Sequence, residues 1–172
     1  SIIEKAFNNM AAELSLSYSE LEQRIKERTA ELTATNQNLT LEIGERKRAE
    51  KRYRDLFDEA PVMYIITRAE DERPIIIDCN RMFLNTLGYK HKDVLNRPLE
   101  EFYTPESRFQ LIDGGGYQDA LEDRFNIQER QLLADDGHVI ETVLQALPER
   151  DSDGKVYGTR AMFVDITARK RA

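Results

Sequence analysis

The chain has 172 residues, enough for one or two domains, and 33% of them are charged against 40% hydrophobic, so an elongated solvated element is expected beside one globular core. A formal net charge of −7 repels phosphate backbones and anionic headgroups, which argues against nucleic acid and against direct membrane contact. Cys79 is the only cysteine, so an intrachain disulfide and a cysteine-based zinc site are excluded, and no apolar run approaches the roughly 20 residues a bilayer span needs.

From Ile2 to about Glu59 there is no proline, Gly44 is the only glycine, and helix formers dominate. One long helix, or two in series, is expected. Its apolar residues recur at Leu14, Tyr18, Leu21, Ile25, Leu32, Leu39 and Ile43 and continue to Tyr53 and Leu56 or Phe57, mostly by alternating steps of three and four. Arg28 and Thr35 fall on the same seam, and the two steps of four from Thr35 to Leu39 to Ile43 form a stutter that locally unwinds a left-handed supercoil. About 50 residues at roughly 1.5 Å each give a rod of about 75 Å, whose stripe one helix cannot bury alone. A parallel coiled-coil homodimer is therefore predicted, acting either as a passive spacer or as a conduit whose weak seam holds two registers. The cluster Arg46, Lys47, Arg48, Lys51, Arg52 and Arg54 is interleaved with Glu42, Glu45, Glu50 and Asp55, and reads as a solvated, ion-paired face.

Pro61 stops the helix after Asp58-Glu59-Ala60, and the period then changes. Strands are predicted at Val62–Thr67 and Pro74–Cys79. A short helix capped by Asn80 and ended by Gly88 follows, with further short helices around His91–Leu95, Leu99–Tyr103, Pro105–Ile112 and Tyr117–Asp123. Three strands, Phe125–Ala134, Val139–Leu147 and Val156–Asp165, close the domain through the turn signals Asp135-Asp136-Gly137 and Asp151-Ser152-Asp153-Gly154. This order gives an α+β fold, a five-stranded antiparallel sheet with its helices segregated in mid-sequence. One sheet face takes the helices; the other requires cover from the N-terminal helix or a second subunit.

Four stretches carry a resemblance. They are Tyr53-Arg54-Asp55-Leu56-Phe57-Asp58-Glu59-Ala60-Pro61, then Asp78-Cys79-Asn80-Arg81-Met82-Phe83-Leu84-Asn85-Thr86-Leu87-Gly88-Tyr89, then Asp135-Asp136-Gly137-His138, and Phe163-Val164-Asp165-Ile166-Thr167-Ala168-Arg169-Lys170-Arg171. In this order and spacing they resemble the PAS family. The stretch from Leu21 to Leu32, continuing through Glu45 to Glu50, resembles the helical linkers that precede PAS domains in sensor histidine kinases and cyclic-di-GMP enzymes. The resemblance implies a bacterial signalling protein with a coiled-coil helix over 1–60, a PAS domain over 61–166, and the start of an exit helix over 167–172 leading to a C-terminal output domain. It also implies that Asn80 caps the first short helix, and that Asp165 and Thr167 launch the exit helix. A cap there is worth about 1 kcal/mol, a junction easily biased, so both are assigned a transmission role beside their ordinary one as a cap.

No cofactor and no metal site are predicted. Leu99-Glu100-Glu101-Phe102-Tyr103 occupies the region where flavin-reactive members of the family carry cysteine, and Cys79 reads as a small core residue. Pro105–Asp123 holds no histidine for haem, and His91 and His138 lie apart in polar surroundings. A small organic ligand is left open, in a candidate pocket lined by Tyr64, Ile66, Phe83, Leu87, Phe102, Phe109, Phe125 and Val143, residues for which core packing is the favoured reading. Gly114-Gly115-Gly116 lacks the Lys-Ser/Thr end of a phosphate loop and reads as a turn. The expected function is a non-enzymatic sensory and dimerisation module, cytoplasmic in this part, with a membrane anchor elsewhere in the parent protein left open. A ligand-binding PAS receptor, and a piece of a histidine kinase or cyclic-di-GMP enzyme whose catalytic domain lies elsewhere, are the alternatives.

Overall fold

The computed structural model describes residues 1–172, which divide into two units, Ser1–Arg52 and Tyr53–Ala172. Helix α1 (Ile2–Asp58) forms the first unit and contributes its last residues to the second. The boundary lies ahead of Pro61 because Tyr53, Arg54 and Phe57 already pack with the sheet domain.

In the first unit the helix is unbroken through the stutter and through Gly44, around which an added Cβ would meet nothing. Arg28 pairs with Glu31 at 3.2 Å and Arg46 with Glu42 at 3.1 Å, spacings of three and four that put opposite charges on one face. Within the single chain the whole stripe of Leu14, Tyr18, Leu21, Ile25, Arg28, Leu32, Thr35, Leu39 and Ile43 is exposed. No helix is long and apolar enough to cross a membrane.

The second unit is built on strands β1 (Met63–Glu70), β2 (Arg73–Cys79), β3 (Gln128–Leu133), β4 (Val139–Arg150) and β5 (Val156–Asp165). They form one antiparallel sheet in the order β2-β1-β5-β4-β3. Between β2 and β3 run α2 (Arg81–Leu87), α3 (His91–Val94), a 3₁₀ turn at Leu99–Phe102, α4 (Pro105–Leu111) and α5 (Gly116–Leu121); α6 (Thr167–Arg171) follows β5. The expected α+β architecture is present.

Three local differences have physical reasons. β1 runs on to Glu70 because Asp71 and Glu72, at φ 48° and 64°, close a two-residue turn of the kind that matches strand twist. The stretch Leu99–Phe102 tightens to a 3₁₀ turn, and β3 starts at Gln128 instead of Phe125, whose ring packs against the core. β5 lies so close to β1 that a Cβ on Gly158 would sit 1.8 Å from the Thr67 carbonyl oxygen.

Side chains alternate across the sheet. Met63, Ile65, Thr142, Leu144, Ala161 and Phe163 point to the helices and are buried, and Phe83, Phe102 and Tyr103 interleave with them at ring separations of 6.2 to 6.4 Å. Truncating a ring such as Phe83 there costs about 3 to 5 kcal/mol. Thr67 shares its hydroxyl with those of Thr159 at 2.8 Å and Tyr117 at 3.1 Å, which ties α5 to the centre of the sheet.

Candidate signal-transfer site at the two helix junctions

The antiparallel register of β1 and β5 places Met63 beside Phe163. The strand that follows α1 and the strand that precedes α6 therefore have these ends side by side, so arrival and departure share one end of the sheet.

On the arrival side, Tyr53 stacks on Phe57 with centroids 5.9 Å apart, and Phe57 meets Tyr64 of β1 at 6.0 Å. Arg54 donates to the Asp78 carboxylate at 2.9 Å, and that hydrogen bond, with the charge behind it, raises the Arg54 pKa. The Tyr53 phenol is also raised, first by burial and then by Asp78 and Glu149. Together with Leu56, Ile66, Glu149 and Arg160 these aromatics line a groove of about 260 Å³ on the sheet face away from the short helices.

Asn80 organises this junction. It is fully buried. Its side-chain oxygen accepts from the backbone N–H of Phe83 at 3.1 Å, which is the helix cap, and from that of Tyr64 at 2.9 Å. Its amide nitrogen donates to the carbonyls of Phe57 at 3.0 Å and Val62 at 2.9 Å. The Phe57 carbonyl is one of the last of α1 and has no partner further along the helix. A single amide thus joins the end of α1, the start of β1 and the start of α2.

On the departure side, the N-cap position of α6 is Ile166, which offers no side-chain cap, and the Asp165 carboxylate just before it accepts from the Thr167 N–H at 2.8 Å. The Thr167 hydroxyl does something else: it accepts from the Glu141 N–H of β4 at 3.0 Å, while the Glu141 carbonyl accepts from Ile166 N–H at 2.8 Å. The Glu141 carboxylate accepts from Gln131 at 2.8 Å and from Lys170 at 3.3 Å. The Gln131 hydrogen bond, then Lys170, holds this carboxyl below its ordinary pKa, and Lys170 is raised in turn, first by its hydrogen bond to Glu129 and then by Glu141. Glu141 was missed at the sequence level. Its signal was available only as an acid on the outward parity of β4, which many solvated residues share.

The eight residues of the expected ligand pocket do not come together. Phe83, Leu87 and Phe102 are buried among the helices, whereas the alternation of β1 and β4 sends Tyr64, Ile66 and Val143 to the opposite face. Phe109 is exposed, because α4 turns Ser107 and Leu111 inward, and Phe125 lies at the rim of the core beside Arg130. Cys79 is buried, its thiol pushed up to about 12 by burial first and by Asp78 and Asp58 second. His138 bonds to Asp136 within its own turn and His91 opens α3; no group of three or more His, Cys, Asp or Glu is placed to hold a metal ion.

An antiparallel five-stranded sheet carrying short helices on one face, with helices arriving and leaving at one end, is a defined α+β domain architecture. Residues 61–168, more than half of the chain, match the family described as PAS domain, and the chain belongs to that family. Among solved structures it is similar to the PAS domain of a protein from Colwellia psychrerythraea, at 20% identity and a TM-score of 0.60, covering 70% of this chain and 99% of that one. It is similar to the PAS domain of an HTR-like protein from Haloarcula marismortui, at 20% identity and TM-score 0.58, covering 74% and 99%. The PAS domain of a LuxR-family transcriptional regulator from Burkholderia thailandensis, in complex with ethanol, matches at 17% identity and TM-score 0.53, covering 67% and 97%. No curated protein matches the sequence.

Proposed function

We propose that this chain is a non-enzymatic relay of bacterial signal transduction, dimeric through a parallel coiled coil of α1, which passes conformational bias through its PAS domain to a C-terminal output domain. The observation that carries this reading is the shared end of β1 and β5, with Asn80 fastening α1 to the sheet and Asp165, Thr167 and Glu141 fastening α6. A change in how α1 sits on Tyr64 and Asn80 needs to cross only one strand pair to reach α6. The exposed stripe from Leu14 to Ile43 supports the dimer, because an apolar seam of that length is stabilised only against another helix.

The output domain belongs to the class found in histidine kinases of two-component systems or in cyclic-di-GMP enzymes, and the relay works in the cytoplasm. Sedimentation equilibrium of the full chain tests the dimer. Dimers at micromolar concentration that dissociate on changing Leu21 and Ile25 to Ser support the reading, whereas a wild-type monomer contradicts it. Incubation with ATP or GTP is expected to give no turnover, and measurable turnover overturns the non-enzymatic part.

A further inference from the structure

Helix α6 leaves the domain without apolar attachment. None of its residues is buried, and Ala168, Arg169, Lys170 and Arg171 are all exposed. What joins it to the sheet is polar and falls at two points. The first is held by backbone: Glu141 of β4 donates its N–H to the Thr167 hydroxyl at 3.0 Å and accepts from the Ile166 N–H at 2.8 Å. The second, about one turn further on, is a single charge. The Lys170 ammonium donates to the carboxylate of Glu129 on β3 and to that of Glu141 on β4, the latter at 3.3 Å.

The two points differ in kind. The backbone pair continues the β4–β5 ladder one step past the Thr142–Asp165 pair and involves no charge. The Lys170 pair is made by partly exposed groups, the lysine side chain keeping 40% of its accessible surface, so salt screens it and its opening costs little. Beside it lies a groove of about 260 Å³, lined also by Glu106 and Gln110 of α4 and by Arg130 of β3, so Lys170 borders an open polar channel instead of packed side chains. Of the three cations on α6, only Lys170 has an acidic partner.

We propose that α6 is hinged at Glu141 and latched by Lys170, so that release of Lys170 from Glu129 and Glu141 frees the direction of the exit helix while its first residues stay fastened to β4. Glu141 serves both points, through its backbone at the hinge and its carboxylate at the latch. The latch deepens the relay reading by naming the contact through which the departing helix is held or let go, and it rests on that reading for its effect downstream. Its own operation requires neither a dimer nor an output domain.

Nitrogen-15 relaxation of the full chain tests the proposal. In about 0.01 M salt, where charges are little screened, wild type is expected to show order parameters of about 0.85 at both Ile166 and Lys170. In Lys170→Met the values at 168–170 fall below about 0.6 while that at Ile166 holds. Glu129→Gln gives part of the same fall with the sequence of α6 intact. Raising wild type to about 1 M sodium chloride, where the screening length is about 3 Å, reproduces it. Lys170→Arg keeps α6 rigid, and so does Arg171→Met, which removes an unpaired charge from the same helix end. Rigid α6 in Lys170→Met, mobile α6 in wild type at low salt, or equal loosening by Arg171→Met overturns the latch. Failure of the relay is distinguishable: an α6 that ignores a lock on α1 yet loosens in Lys170→Met contradicts the relay and leaves the latch standing.

Discussion

Replacing Asn80 by Ala removes four hydrogen bonds at once, two of them in fully buried surroundings and two partly buried. A buried backbone group left unpaired costs about 1 to 3 kcal/mol, and a partly hydrated one about 1 or less, so the expected loss is about 4 kcal/mol. Against a stability of about 5 to 15 kcal/mol for a domain of this kind, that is a large share. Urea unfolding followed by circular dichroism measures it, and hydrogen exchange should show the Tyr64 and Phe83 amides losing protection ahead of the rest of the sheet. Asn80→Asp separates the two halves of the role. The introduced carboxylate keeps an acceptor for Tyr64 and Phe83 but faces the Phe57 and Val62 carbonyls without a donor, so the folded state favours the protonated form and the pKa of the new carboxyl rises above about 3.9. With the folded pKa raised, stability is fully present below the unfolded pKa and lost as pH rises through the folded one. Asn80→Asp should therefore be much closer to wild type at pH 4 than at pH 8. A loss under 1 kcal/mol for Asn80→Ala, or a difference between Asn80→Asp and wild type that does not change with pH, refutes the assignment of Asn80 as the junction's fastener.

Three further outcomes follow from single features. In the proposed coiled coil, changing Arg28 and Thr35 together to Leu fills two polar layers and should raise the melting temperature of the helix; an unchanged or lower melting temperature contradicts their place in such a seam. Glu72→Gly relieves a positive φ of 64° in the β1–β2 turn and should stabilise by about 1 kcal/mol in urea unfolding, where Glu72→Val should destabilise. Cys79, with its thiol held up to about 12, should resist iodoacetamide in the native state at pH 8 and react on unfolding; the stability tied to this group is present below about 8.5 and is lost as pH rises towards 12. Native alkylation at the rate of a free thiol would contradict its burial.

Much of the architecture was legible in the residues. The change from a step of three and four to a step of two at Pro61, and the Asp-Gly turns after Ala134 and Asp151, mark where helix gives way to strand, and Asn80 with Gly88 brackets α2 at both ends. The β1–β2 turn was less visible because Asp71 and Glu72 adopt positive φ without glycine or asparagine. The expected pocket failed for a different reason: hydrophobicity alone does not say which face a strand residue occupies. Counting by twos from buried Ile65 already places Tyr64 and Ile66 on the far face, and the same count from Leu132 places the charged Arg130 inside. Long-range polar ties such as Gln131 to Glu141 and Thr167 to the Glu141 amide depend on strand register, which one sequence does not specify.

The relay itself is tested most directly by locking one end of the chain and reading the other. Leu14→Cys, oxidised to a symmetric disulfide in a Cys79→Ala background, tethers two copies of α1 at the N-terminal part of the seam. The account predicts efficient homodimer formation and, on oxidation, altered amide resonances at Ile166, Thr167 and Lys170 that Asp165→Ala diminishes. Resonances in α6 that are identical in the oxidised and reduced chain would contradict it.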